Sequence, residues 1–260
     1  MKYTLLELTQ AVLSSMDSDE INSIDDSVES QQVVEVIKTV YDDIVSRGDL
    51  VSNKMLFNLA ASNDATKPVL MTKPQNIDRI EWIKYDSQLA TETDPVWVEM
   101  EYLPVSDFID YIHNYNPSET NVDTFSHSAD TFTFTFNYRT DQAPKFYTSF
   151  DDVTLVFDAY DSDVDNTLQS SKTLCYGQKK TDFTLDDAWV PNLQPQQFSL
   201  LLNEAKSLAW VELKQTEHRK AEVTARRGWR HLQKTRTTSP EAIVLNNAHS
   251  FDKLPNFGRR

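Results

Sequence analysis

The chain has 260 residues and a formal net charge of −15; 39% of its residues are hydrophobic and 11% aromatic. Those totals suit one large or two smaller globular domains with a buried core and exclude a disordered chain. Four glycines and the single cysteine, Cys175, exclude glycine-rich phosphate loops, dinucleotide fingerprints, the glycine-flanked serine elbow, an intrachain disulfide and a cysteine metal site.

The opening residues Met1–Leu5 run quickly into Glu7 and Gln10. No long apolar run follows, so no signal peptide is expected. No stretch approaches the roughly 20 apolar residues of a membrane span. A reducing, aqueous compartment and no membrane partner are the resulting expectations. Leu5, Leu8, Val12 and Leu13 form a short apolar stripe, predicting a first helix over 4–14. After an acidic turn, Asp26-Ser27-Val28-Glu29 has the form of a capping box. Val33, Ile37, Val40 and Ile44 recur at helical spacing, so a second helix is predicted over 27–47, with Gly48 as its C-cap.

From about 53 to 190 the period becomes two. Short extended runs are predicted at 55–61 and 68–72, and Ile77–Tyr85 alternates with charged residues. Val96, Val98, Met100 and Tyr102 are expected on one strand face. Phe132, Phe134, Phe136 and Tyr138 alternate with threonines, and Val153–Tyr160 is the predicted partner strand, with Val153, Leu155 and Phe157 on one face. One short helix is expected to interrupt this region before the phenylalanine strand, capped by Ser106, burying Phe108, Ile109 and Ile112 and ended by Asn116-Pro117.

A long final helix is predicted from Pro195, with Phe198, Leu201, Leu202, Ala205, Leu208 and Ala209 on its buried face. Past Trp210 the character changes. Lys214, Arg219, Lys220, Arg226, Arg227, Arg230, Lys234 and Arg236 fall within 23 positions. Residues 201–260 hold 12 basic and 6 acidic residues, against 13 and 34 in the first 200. Segregation of that kind marks an interaction surface or tail. The expectation is a helix over 196–227 whose first half packs and whose basic second half projects, with Gly228 ending or bending it. From 237 the chain reads as an extended arm with Ile243, Val244, Leu245, Phe251, Leu254 and Phe257 spread along it. Apolar residues in an arm suit binding to a neighbour, with order supplied by the partner.

No chemistry-bearing constellation emerges. His113, His127, His218, His231 and His249 lack zinc-site spacing and are expected as surface or helix residues. Asp161, Asp163 and Asp165 imitate the start of a calcium loop. Asn166 and Lys172 stand where that loop needs glycine and glutamate, so an acidic turn is expected. The adjacent acid pairs, such as Asp42/Asp43 and Asp186/Asp187, are what a chain with 40 acidic residues gives by chance. No catalytic, cofactor-binding or metal-binding residue is assigned, no cofactor is expected, and the chain is read as a non-enzyme. A nucleic-acid-binding accessory protein using the basic helix is the alternative. The interspersed Glu212, Glu217 and Glu222 fit pairing along a helix, and acidic protein surfaces suit the stretch at least as well.

Three segments resemble the head-to-tail adaptors of tailed bacteriophages, including the tail tubular protein A type of short-tailed phages. They are Tyr3–Gln10 with Ser23–Ser27, then Val36–Gly48 ending in Arg-Gly, and finally the helix carrying Lys206, Lys214, Arg226 and Arg227 with the closing Asn256-Phe257-Gly258-Arg259. The resemblance implies a virion structural protein: a ring, usually of twelve copies, that docks on the portal. Below it a tail nozzle, tail tube or fibres attach, and DNA passes through the lumen without specific binding. The expected fold is α+β. N- and C-terminal helices form a bundle (1–50 and 193–236) around an inserted antiparallel β region (51–192), followed by an extended arm (237–260). Arg226, Arg227, Trp229, Arg230, Phe251 and Phe257 are the residues expected to contact the portal or a neighbouring subunit.

Overall fold

The computed structural model describes residues 2–61, 64, 66–89, 91–129, 132–164 and 172–237. The fold is α+β. In chain order the elements begin with α1 (Leu5–Ser15), α2 (Val28–Gly48), β1 (Lys54–Phe57), β2 (Ala60–Ala61), β3 (Leu70–Thr72), β4 (Ile77–Asp86) and β5 (Trp97–Tyr102). Next come α3 (Val105–His113), β6 (Val122–Ala129), β7 (Phe132–Arg139), β8 (Phe146–Ser149), β9 (Thr154–Phe157), β10 (Thr173–Lys179), α4 (Gln197–Lys214) and α5 (Arg219–Thr237). The chain divides into two compact units, Met1–Asn53 with Thr181–Arg260, and Lys54–Lys180.

In the first unit α1, α2, α4 and α5 share one apolar core. Thr4 starts α1: its hydroxyl accepts from Glu7 N at 3.2 Å, and Glu7 returns a carboxylate to Thr4 N at 2.9 Å. The predicted stripe Leu5, Leu8, Val12 and Leu13 is buried. The start of α2 differs from the Asp26/Glu29 expectation. Ser27 is the N-cap and pairs with Ser30. Asp26 instead accepts from Asn22 N and Ser23 N, closing the preceding turn, and Glu29 faces Lys214 at 3.2 Å. Val33, Ile37, Val40, Tyr41 and Ile44 are buried, each contributing about 1.5–3 kcal/mol of apolar burial. Gly48 is still helical, and Asp49 takes the left-handed cap at φ 48°. Gly48 is closely covered: a Cβ there would lie 3.1 Å from Leu50 Cδ2 and 3.2 Å from Leu232 Cδ2 of α5.

Segment 181–193 also belongs to this core. Trp189 packs edge-on against buried Tyr41 at 5.2 Å, and the Tyr41 hydroxyl donates to Asp182 at 2.5 Å. Leu5 N donates to Trp189 O at 2.8 Å, and Ile24 N to Asp187 Oδ1 at 2.8 Å.

In the second unit an eight-stranded sheet runs β1-β10-β4-β5-β8-β9-β3-β2, antiparallel except for the parallel β5–β8 pair. The predicted partnership of 153–160 with the phenylalanine strand is reduced to a single bridge between Arg139, the last residue of β7, and Ala159. β7 pairs instead with β6, its neighbour in sequence, while β9 lies between β8 and β3. A local hairpin closes a shorter loop than the distant pairing. The phenylalanine face splits: Phe136 and Tyr138 are buried, but Phe134 is 42% exposed. The face expected at 96–102 buries only Met100, with Val96 and Tyr102 exposed. Strand β9 buries Leu155, Val156 and Phe157 together while Val153 lies exposed, so it is covered on both faces rather than one. Helix α3 buries Phe108 and Ile112, but Pro104 rather than Ser106 sits at its cap, and it ends at His113. Asp158 is fully buried and accepts from Lys145 N and Phe146 N, both at 2.9 Å, and from Tyr115 Oη at 3.3 Å. Burial still pushes its carboxyl above the ordinary range.

Candidate functional site

The basic stretch does not project from the end of one long helix. The chain turns at Gln215, which takes the left-handed conformation at φ 52° and donates its N–H to Trp210 O. Thr216 N also reaches Trp210 O, at 3.3 Å. His218 then starts α5: its Nδ1 accepts from Ala221 N at 3.1 Å, and its ring meets Trp210 edge-on at 5.2 Å. Helix α5 folds back along α4, forming a helical hairpin.

Small residues make that contact. Ala221 and Ala225 are each 1% exposed. Gly228 does not end α5, which runs on to Thr237; a Cβ there would lie 3.0 Å from Leu200 Cδ1. Spacings of four, three and four place Ala221, Ala225, Gly228 and Leu232 on one helix face. At 100° per residue, Arg219, Lys220, Arg226, Arg227, Arg230 and Lys234 then fall on the opposite face, centred on exposed Val223. All six cations are exposed. Helix α5 carries seven basic residues and one acidic residue along about 28 Å. Within the stripe, Arg226 meets Glu222 at 2.6 Å, an i, i+4 pair, and Arg219 meets Glu217 at 4.0 Å. Exposed pairs of this kind are worth about 0–1 kcal/mol, so they leave the stripe's electrostatic character in place.

The structure therefore separates the expected contact residues. Arg226, Arg227 and Arg230 come together on the outward face. Trp229 does not join them: it is half-buried and packs on the helical core beside Arg47, Gly48 and Leu232. Burial raises the Glu204 carboxyl above its usual range, and a hydrogen bond from Trp229 partly offsets that rise. Phe251 and Phe257 lie outside the described residues, as does the whole arm from 238. Lys206, on α4, is half-buried, and desolvation lowers its ammonium pKa.

The other residues weighed for chemistry have structural roles. Asp161 Oδ1 accepts from Asp163 N at 3.0 Å, closing an acidic turn, and Asp165 and Asn166 lie outside the described residues. Among the described residues no group of three or more His, Cys, Asp or Glu is placed to hold a metal ion. No helix among them is long and apolar enough to cross a membrane. Cys175 is fully buried, and burial pushes its thiol up to about 12. A cleft of about 640 Å³ lies between the start of α2, Leu185 and the end of α4. Its lining comes from three separate segments, which no local pattern links. No protein family and no curated protein matches this chain.

Proposed function

We propose that this protein is a non-catalytic assembly protein of the head-to-tail adaptor kind, which docks on an acidic surface of a larger partner through the outward stripe of α5. The observation that carries this reading is the one-sided helix: small residues inward on α4, six exposed cations outward. A rigid cationic face suits an acidic protein groove and gives specificity and encounter rate through charge complementarity. On this reading the terminal helices form a bundle closing over an inserted β region. Copies assemble as a ring, usually of twelve, on the portal of a virion. The tail nozzle, tail tube or fibres attach below, and DNA passes through the lumen. The acidic remainder of the chain suits a channel wall that must not grip the passing DNA.

The test is mixing full-length protein with a purified candidate portal ring and weighing the products by mass photometry. A stoichiometric ring complex is expected with the native protein. Arg226→Glu with Arg227→Glu and Arg230→Glu should abolish it while leaving the helical circular dichroism unchanged. Unchanged complex formation by that variant overturns the stripe as the docking face. The same six cations favour a second reading, nucleic-acid binding. Measurable binding of duplex DNA at low salt, falling steeply as salt rises, would support it; no binding at low salt removes it.

A further inference from the structure

We propose that the cleft beside the start of α2 is the seat of the chain's own last ten residues, 251–260. The cleft's apolar part is open: Val28 is 73% and Leu185 65% exposed, with Leu213 beside them. Its rim carries three carboxylates, Asp25, Glu35 and Glu212, of which Glu35 makes a loose, exposed i, i+3 pair with Lys38 at 3.7 Å. Apolar surface framed by one sign of charge calls for a segment that is apolar and oppositely charged. Residues 251–260 have that composition. Phe251, Leu254 and Phe257 recur every three residues, and Lys253, Arg259 and Arg260 supply three cations against one acid, Asp252. Lys214, the nearest cation on α4, is already engaged by Glu29 at 3.2 Å.

Reach and tethering favour the chain's own segment over that of a second copy. The cleft lies at the Glu212–Leu213 end of α4, where the hairpin turns. Helix α5 runs back from that turn for 19 residues, so its last residue lies about 28 Å away along the axis. The thirteen residues 238–250 span at most about 43–47 Å when extended, which covers the return. A short tether also holds its segment at millimolar effective concentration, far above that of other copies in dilute solution. Occupancy by residues 251–260 stands whether or not the partner of α5 is a portal.

Disulfide trapping in the full-length protein tests this, because buried Cys175 adds no background. Gln32→Cys places a thiol at the cleft, and Asn256→Cys places one in the segment between its apolar residues. The control pairs Asn256→Cys with Val223→Cys, which is exposed on α5 and closer along the chain. Under mild oxidation with glutathione disulfide, the Gln32→Cys pair should close as a monomer, at a rate independent of protein concentration. It should do so at least about tenfold faster than the control. Adding Glu35→Lys and Glu212→Lys should slow it to the control rate with circular dichroism unchanged. Equal rates for the two pairs, no effect of the charge reversals, or trapping only as dimers that rise with concentration would each overturn the proposal, the last by assigning the cleft to a second copy.

Discussion

Gly228→Val tests the contact on which the outward stripe depends. A Cβ at 228 would lie 3.0 Å from Leu200 Cδ1 and 3.2 Å from Leu200 Cβ. Leu200 is 4% exposed, so it has little room to swing aside. Overpacking of this kind costs about 1–3 kcal/mol. Replacing a mid-helix glycine by valine recovers only a few tenths of a kcal/mol, about 0.3–0.5. The expected net destabilisation is about 0.5–2.7 kcal/mol. With a urea slope of about 2 kcal/mol/M, the midpoint of the helical unit should fall by about 0.3–1.3 M, read by far-ultraviolet circular dichroism. Gly228→Ala adds one carbon and gains up to about 1 kcal/mol of helix propensity, so it should stay close to the native midpoint. A valine variant as stable as the native chain would refute the close approach of α4 and α5, and with it the derivation of which face of α5 is turned outward.

Trp229→Ala should destabilise the helical unit by about 1.5–3 kcal/mol, read from its urea midpoint, since a fully buried aromatic costs about 3–5 and Trp229 is half-buried. The triple charge reversal at Arg226, Arg227 and Arg230 should stay within about 0.5 kcal/mol of native stability, so folding and docking separate. Asp158→Ala leaves the backbone N–H groups of Lys145 and Phe146 without their acceptor and empties a fully buried side-chain position. The β unit should lose about 2–4 kcal/mol, seen in near-ultraviolet circular dichroism. Burial pushes Tyr138 and Tyr147 up to about 12, and burial together with Asp182 raises Tyr41. A raised folded pKa gives stability that is complete below the unfolded value near 10 and is lost above it. Tyrosinate absorbance should therefore rise together with unfolding between about pH 10 and 12. Cys175 should resist a thiol reagent in the native protein and react fully in urea, read by colorimetric thiol titration.

Helices with strong apolar periodicity were legible in the sequence. Leu5, Leu8, Val12 and Leu13, then Val33, Ile37, Val40 and Ile44, repeat at helical spacing because each set faces one core. The interruption between α4 and α5 was not legible, for a local reason. Its left-handed residue is Gln215, in a stretch with no glycine or proline, so the usual punctuation of a helix end is missing. The cap at Ser27 was misread because Asp26 and Glu29 imitate a capping box one residue early. Their side chains are committed elsewhere, to the preceding turn and to Ser18 and Lys214. Strand pairing failed where β6 carries little alternation. Its sequence VDTFSHSA offers two large apolar side chains, Val122 and Phe125, yet adjacency made it the partner of β7. For the candidate site, the charge of the basic stretch was readable, but the face it occupies was not, because that depends on the turn at Gln215.

That turn changes what the basic stretch can do. A projecting helix would present cations on all sides, suited to threading into a groove that surrounds it. A helix folded back along α4 presents them on one side only. Its other side is fixed by buried Ala221 and Ala225 and by Gly228, which lies close against Leu200 of α4. The stripe is thereby ordered before any partner arrives, so docking costs little side-chain or backbone entropy beyond that of the six cations themselves. Scattered apolar residues have no place on such a face; only Val223 interrupts it. The apolar residues of the last ten positions have no match on that face, which is why the proposal assigns them to the acid-rimmed cleft at Val28 and Leu185. On the two proposals together, charge complementarity divides the C-terminal region between two surfaces, a cationic stripe for a partner and a cationic, apolar end for the chain's own acids.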